Sequence, residues 1–321
     1  MTKMIKLSLV AAVAVAGFTT SAAAANLEDT TFSGKVEFEY DYSKDDNANT
    51  TENGYDIDVD VTSKTKLSDT WTVVVGVQAD TNSDKGGTDQ IGETKIDNSN
   101  VDVSKTYFQY ANGTTTAKIG RQATGTPFMD DQRADGFVAM TTVSNITLAA
   151  AHFDDVNYSG TEVGNVAGAT QTYISGLTQD SLNAAAIIGS FGPVNASLWY
   201  LDATNVADGY SLNLNGTVGP VKVDFTHTDL DTDVANTDAS LTKLIVSGKV
   251  ADVNLVAGYG TTNDSAARGS VDLTGDADAK TNFALDQIKL DDFADADAIL
   301  VGASMSFGKT TVGVNYLTAD V

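Results

Sequence analysis

The chain has 321 residues, with 19 Lys+Arg against 43 Asp+Glu for a net charge of −24, 28 Gly, 3 Pro and no Cys. The missing cysteines exclude a disulfide scaffold, a zinc–thiolate centre and a Cys nucleophile, and the acidity excludes the basic face that nucleic acid demands for counterion release. At 42% hydrophobic and 19% charged the composition is that of a folded chain, long enough for two ordinary domains or one large barrel.

Residues 1–6 carry Lys3 and Lys6, 7–18 form an apolar run and 19–25 are small and polar. This is the pattern of a cleaved secretory signal peptide, and the run is short of the roughly 20 residues a helical span needs. Cleavage after Ala25 puts Ala23 and Ala25 at the small-residue positions, so the expected division is a leader over 1–25 and one domain over 26–321. No later apolar stretch reaches the length of a spanning helix. The mature chain is therefore either soluble outside the cytoplasm or crosses a membrane with strands.

From Thr31 onward the dominant period is two. Val36, Phe38 and Tyr40 alternate with Lys35, Glu37, Glu39 and Asp41; Tyr55, Ile57, Val59 and Val61 alternate with Asp56, Asp58, Asp60 and Thr62; Trp71, Val73, Val75 and Val77 follow. The same alternation returns at Tyr210, Leu212 and Leu214, at Val221, Val223 and Phe225, and at Val253, Leu255, Ala257 and Tyr259. With turn residues as punctuation the predicted strands are 32–42, 53–66, 70–81, 100–111, 113–122, 135–144, 145–156, 181–191, 193–204, 208–218, 220–231, 238–250, 252–263, 297–307 and 309–320.

The connections alternate in length. Tight ones fall at 67–70, 111–113, 144–145, 192–193, 219–220, 250–252 and 308–309, while those between them run long at 43–52, 82–99, 123–134, 157–180, 231–237 and 264–296, with 205–207 the short exception. Tight turns at one end and long loops at the other are the design of an outer-membrane barrel, whose closed sheet satisfies every backbone polar group where hydrocarbon offers none. The expected fold is therefore all-β, a transmembrane antiparallel β-barrel of about 16 strands, of which about 15 are counted here. An even barrel needs one more: the sequence stops before it, a strand is uncounted, or the segment at Asn26 closes the ring.

The leader, the ten-residue alternating strands and the stretch Lys118-Ile119-Gly120-Arg121-Gln122 before the third long connection resemble a Gram-negative outer-membrane porin. The resemblance implies a homotrimer in outer-membrane lipid, a water-filled channel for passive diffusion of ions and small hydrophilic solutes, and no cofactor. It also implies that the loop at 123–134 folds inward as a constriction, with Arg121 on the basic wall, Asp130, Asp131 and Asp135 as loop carboxylates and Arg133 as a modulating charge. Opposed charges across a narrow aqueous path set up a transverse field that orients solutes and biases ion passage. The final aromatic residue usual in porins is missing, since the chain ends Thr318-Ala319-Asp320-Val321.

By alternation Lys35, Glu37, Glu39, Asp56, Asp58, Asp60, Lys118, Lys222 and Asp224 line the lumen, because Lys or Arg on the lipid face costs about 2–4 kcal/mol at mid-depth. The surplus of carboxylates predicts a mild cation preference. Catalysis is not expected: His152 and His227 stand apart, as lumen or girdle residues, and no Gly-x-Ser-x-Gly, Glu-x-x-His or phosphate-loop motif is present. The acidic clusters at 44–46, 229–238, 276–278 and 291–297 lack the spacing of a calcium loop and read as solvated external loops. The competing reading is a secreted or surface-anchored acidic β-rich adhesin or layer protein with weak calcium binding.

Overall fold

The computed structural model describes residues 2–13, 29–45, 50–83, 96–129, 133–157, 178–205, 207–232, 238–263, 281, 283–285, 288–290, 293–308 and 310–320; of these, the side chains of 2–13, 39–56, 80–100 and several strand-end residues lie outside the description. Its regular structure there is β throughout, apart from isolated helical residues at strand ends. Contacts divide the chain into two compact units, Met1–Ala111 with Gly120–Gln122, and Asn112–Ile119 with Ala123–Val321.

The first unit holds β1 (Thr2–Val13), β2 (Thr30–Asp45), β3 (Thr50–Lys66), β4 (Trp71–Ser83) and β5 (Ile96–Ala111). Each pairs antiparallel with the next. Strand β6 (Thr115–Ala123) is shared between the units. The second unit continues with β7 (Arg133–Val143), β8 (Ile146–Asn157), β9 (Thr178–Phe191), β10 (Val194–Ala203), β11 (Ala207–Val218), β12 (Val221–Thr232), β13 (Ala239–Val250) and β14 (Val253–Thr262). A small hairpin of β15 (Ala284–Leu285) and β16 (Ile288–Lys289) interrupts the meander before β17 (Asp297–Phe307), which pairs with β14, and β18 (Thr310–Asp320). Strand order follows sequence order apart from this inserted pair.

Every predicted strand is present, with ends displaced by at most a few residues: 181–191 is observed as Thr178–Phe191 and 297–307 as Asp297–Phe307. Three strands lie beyond that count: the short β15 and β16, inside the connection expected at 264–296, and β1, which lies inside the predicted leader and aligns with β2 from Thr2↔Asp45 to Val13↔Gly34. The tight turns form where the sequence placed them: at 67–70 the Ser68 hydroxyl oxygen accepts from the Thr70 and Trp71 backbone N–H groups, and in each of the other six one residue accepts a left-handed backbone. Gly192 (φ 64°) and Gly219 (φ 63°) do so without strain ahead of Pro193 and Pro220, and proline then fixes the next φ. Ser144 (φ 59°) and Ala251 (φ 54°) occupy the same turn position with a Cβ.

Pairing at period two gives each strand two faces of different chemistry. In β10, Val194, Leu198 and Tyr200 are exposed, and in their neighbours Ile187, Phe191, Tyr210 and Leu214 share that face. A continuous exposed apolar face is what hydrocarbon contacts require and what an isolated soluble sheet avoids. Aromatic residues sit near strand ends in each unit: in the first, Trp71 packs against Tyr110 with ring centroids 5.3 Å apart beside the 67–70 turn; in the second, Tyr259 donates its hydroxyl to Asp297 at 2.6 Å near the loop end.

The opposite, inner face of the second unit changes character along its height. Across β9–β12 the register stacks rows running from the turn end to the loop end: Ser190–Asn195–Asn215–Asp224, then Ile188–Ser197–Asn213–Thr226, then Ala186–Trp199–Ser211–Thr228, then Ala184–Leu201–Gly209–Leu230. The row at the turn end stays open, Thr226, Ser211 and Thr228 above it are already buried, and Leu201, Leu230, Leu182 and Leu241 are fully buried. What covers them is Phe128 and Met129 from the connection after β6, with Phe283 and Leu290 from the segment before β17; together they make the main apolar cluster. Each such fully buried large side chain contributes about 1.5–3 kcal/mol.

Candidate pore wall

On the inner face of the first unit, register sets charges directly across from one another: Glu39↔Asp56, Glu37↔Asp58 and Lys35↔Asp60. Lys35 pairs with Glu37 on its own strand. Asp60 faces the ammonium of Lys105 at 3.7 Å and accepts the Thr62 hydroxyl at 3.2 Å. Asp58 is half-buried, and the side chains of Glu39 and Asp56 lie outside the description.

Lys105 was not among the predicted site residues. A register shift between Gly76 and Val77 inserts an extra residue into β5, so the apolar parity set by Val101 and Val103 reappears at Phe108. That change of parity is the signal in the sequence, and it turns Lys105 inward over Gly76, where an added Cβ would lie 2.5 Å from the Lys105 side chain.

Gly120 has φ 120°, and a Cβ there would approach the Thr106 carbonyl oxygen to 2.3 Å. This glycine breaks the alternation between exposed Ile119 and half-buried Arg121, so the face of Arg121 does not follow from counting. Lys118 is half-buried on the face opposite Ile119. Gln122 is buried, its amide nitrogen donating to the Gly120 carbonyl at 3.5 Å while its carbonyl oxygen has no hydrogen-bond partner.

Asp130 and Asp131 lie outside the described residues. The ordered anchor of their connection is apolar: Phe128 and Met129 are buried, and the Thr124 hydroxyl reaches the Met129 sulfur at 3.8 Å. The triplet Pro127-Phe128-Met129, the one apolar island in a polar stretch, is the sequence sign of this anchor. Arg133 is half-buried, and Asp135 stands exposed opposite Asp154 with the parity of outward-facing Phe137. The structure therefore does not bring Asp135 to the inner wall.

Asp224 is on the inner face, where it accepts from the Asn213 amide at 2.7 Å, and Lys222 is exposed two positions nearer the turn. Lys243, on the next strand and adjacent to Thr226 in register, is buried among the inner rows. Both histidines take the outer face. His152 bonds Asn183 through Nδ1 at 2.8 Å and lies 5.9 Å from the Phe137 ring; His227 bonds Thr242 at 2.8 Å and lies 5.8 Å from the Tyr210 ring. Among the described residues no group of three or more His, Asp or Glu side chains is arranged to hold a metal ion.

Comparison with known proteins bears on this two-faced wall. The family model for Gram-negative porins matches residues 11–321. Among solved structures the chain is similar to Pseudomonas aeruginosa OccK8 (OprE), with a TM-score of 0.67 at 14% identity over 91% of this chain and 84% of that one. It is similar also to P. aeruginosa OpdK, solved with vanillate, with a TM-score of 0.67 at 15% identity over 90% and 82%. A BenF-like porin from Pseudomonas fluorescens Pf-5 gives a TM-score of 0.63 at 14% identity over 91% and 83%. No curated protein sequence matches the chain. The adhesin or layer-protein reading receives no support from any of these, and the fold is that of antiparallel β-barrel porins. A match spanning nearly the whole chain, together with the barrel fold, places this protein in the Gram-negative porin family.

Proposed function

We propose that the chain, after loss of residues 1–25, forms a homotrimeric outer-membrane pore for passive diffusion of ions and small hydrophilic solutes, with a mild preference for cations. An outer-membrane channel for small solutes is what the family carries. The observation that bears most of the reading is the sheet with two chemistries, apolar and exposed outside, hydroxyl, amide and charge inside at the turn end. Cation preference is supported by the net charge of −24 and by Glu37, Asp58 and Asp60 on the inner face of β2 and β3. Lys105, Lys222, Lys243 and Lys249 on inner faces keep it mild.

We assign Arg121, Asp130, Asp131 and Arg133 to the constriction and Asp135 to its outer rim. Because Thr2–Val13 cannot both leave with a leader and remain β1, the intact mass of the membrane-extracted protein tests the first step, and Asn26 is the expected first residue. The channel itself is tested by planar-bilayer recording under a KCl gradient. Stepwise ohmic currents with a cation-selective zero-current potential are expected, and Arg121→Ala moves that potential further toward cations. One observation favours a narrower path: Phe128, Met129 and Phe283 cover the inner face at the loop end. Absence of steps from membrane-embedded, heat-modifiable protein would refute the open pore in favour of that restricted one.

A further inference from the structure

We propose that the inner face of β9–β12 is a binding track for uncharged, polyhydroxylated solutes of the sugar class, built from a ladder of side-chain amides beside Trp199. The proposal rests on the porin reading and names its solute.

The ladder is continuous and directional. The Ser190 hydroxyl donates to Asn195 Oδ1 at 2.7 Å, Asn195 Nδ2 to Asn215 Oδ1 at 3.1 Å, Asn215 Nδ2 to Asn213 Oδ1 at 2.6 Å, and Asn213 Nδ2 to Asp224 Oδ1 at 2.7 Å. Every donor points the same way and the row ends on a carboxylate, so each bond polarises the next. A carboxamide carries two N–H donors and an oxygen with two acceptor sites, and at Asn195 and at Asn215 the ladder uses one of each. A donor and an acceptor thus remain side by side on neighbouring strands about 4.8 Å apart.

A hydroxyl is the group that meets both, because one oxygen donates and accepts. A solute with several hydroxyls makes paired bonds along the row, whereas at Asn195 and Asn215 a bare ion meets only neutral dipoles for the hydration it gives up, the one charge of the ladder standing at its end on Asp224. Trp199 belongs to the same inner face, opposite Ser211 and one row above Ser197 and Asn213, and it is only partly buried against the apolar cluster. A few converging polar groups beside an aromatic surface are the usual makings of a small-solute site. The lengthwise order is also directional: the amide rows lie at the turn end and the buried leucines at the loop end.

The chain has two tryptophans, and Trp71 stands exposed on the outer face against Tyr110. In Trp71→Phe protein, Trp199 is therefore the only indole reporter. The experiment titrates this variant in detergent with sucrose and, as the control, with a polyethylene glycol of equal hydrodynamic size, whose ether oxygens accept but hardly donate. Saturable change in Trp199 emission with sucrose alone is expected, with the midpoint raised at least tenfold by Asn215→Leu and less by Asn215→Thr, each checked for heat-modifiable folding. A linear response shared with the glycol, or a midpoint indifferent to both substitutions, overturns the track. Bilayer recording of the same protein separates the two claims: KCl steps without a saturable sucrose response sink the track and leave the pore, while a saturable response without steps keeps the track and sinks the pore.

Discussion

Removing the phenyl ring at Phe128 isolates what holds the connection after β6 in place. Phe128 is fully buried in a cluster drawn from the strands and from Phe283 and Leu290, so Phe128→Ala leaves a cavity among packed side chains. Truncations of this kind cost about 3–5 kcal/mol. At about 1.4 kcal/mol per tenfold, departures of the segment from the inner wall rise by roughly a hundred- to several-thousand-fold if the loss falls wholly on its anchorage. Phe128→Leu keeps most of the volume and costs about 1 kcal/mol, which serves as the control. The assay combines single-channel recording with limited proteolysis of the folded protein: the alanine variant is expected to flicker to larger current levels and to be cut between residues 123 and 134, while the leucine variant resembles the parent. A lowered unfolding temperature with unchanged current noise and protease resistance would show that Phe128 supports the wall without restraining the segment, and the reasoning would fail.

Three further substitutions probe the wall. Leu198→Arg, midway along the outer face of β10, is expected to cost about 2–4 kcal/mol in bilayer refolding titrations, whereas Ser197→Arg on the inner face is tolerated; equal losses would mean the faces are reversed. Gly120→Ala adds a Cβ at φ 120° against the Thr106 carbonyl, and a loss of about 2 kcal/mol or more should lower the temperature at which gel mobility shifts. An unshifted transition would show that the strand yields there. Lys105→Gln removes the partner of Asp60, and the expected result is a zero-current potential moved toward cations with little change in stability, since the pair is partly solvated. A move toward anions would place Lys105 away from the ion path.

Strands were legible because their determinants are local. The hairpin of β17 and β18 follows from alternation on both sides of Gly308, and no distant contact was needed to place it. Long-range covering was not legible by alternation alone. In 184–188 the sequence runs Ala-Ala-Ala-Ile-Ile, apolar on both parities, which is how a strand covered on both faces reads. Counting one face as lumen obscured the buried Ala184 and Ala186. Simple alternation does not reach Lys105 because a bulge moves it across the sheet, and Asp135 stands in a charged loop yet shares the parity of Phe137. Single polar residues such as the histidines fit either face by pattern, and the rings of Phe137 and Tyr210 beside them mark the outer one.

Pairing in sequence order carries one more consequence. The hydrogen-bond ladders of each hairpin run only to the strands beside it, so in pairing the hairpin is a modular quantum of this architecture. Duplication or deletion of one such pair alters circumference by two strands, and with it the diameter of the enclosed space, while every other ladder keeps its register. The small hairpin of β15 and β16 shows that a connection can also host paired strands without breaking the junction of β14 with β17. Strand number and the content of the connections are thereby separate variables, each open to change while the other is held constant.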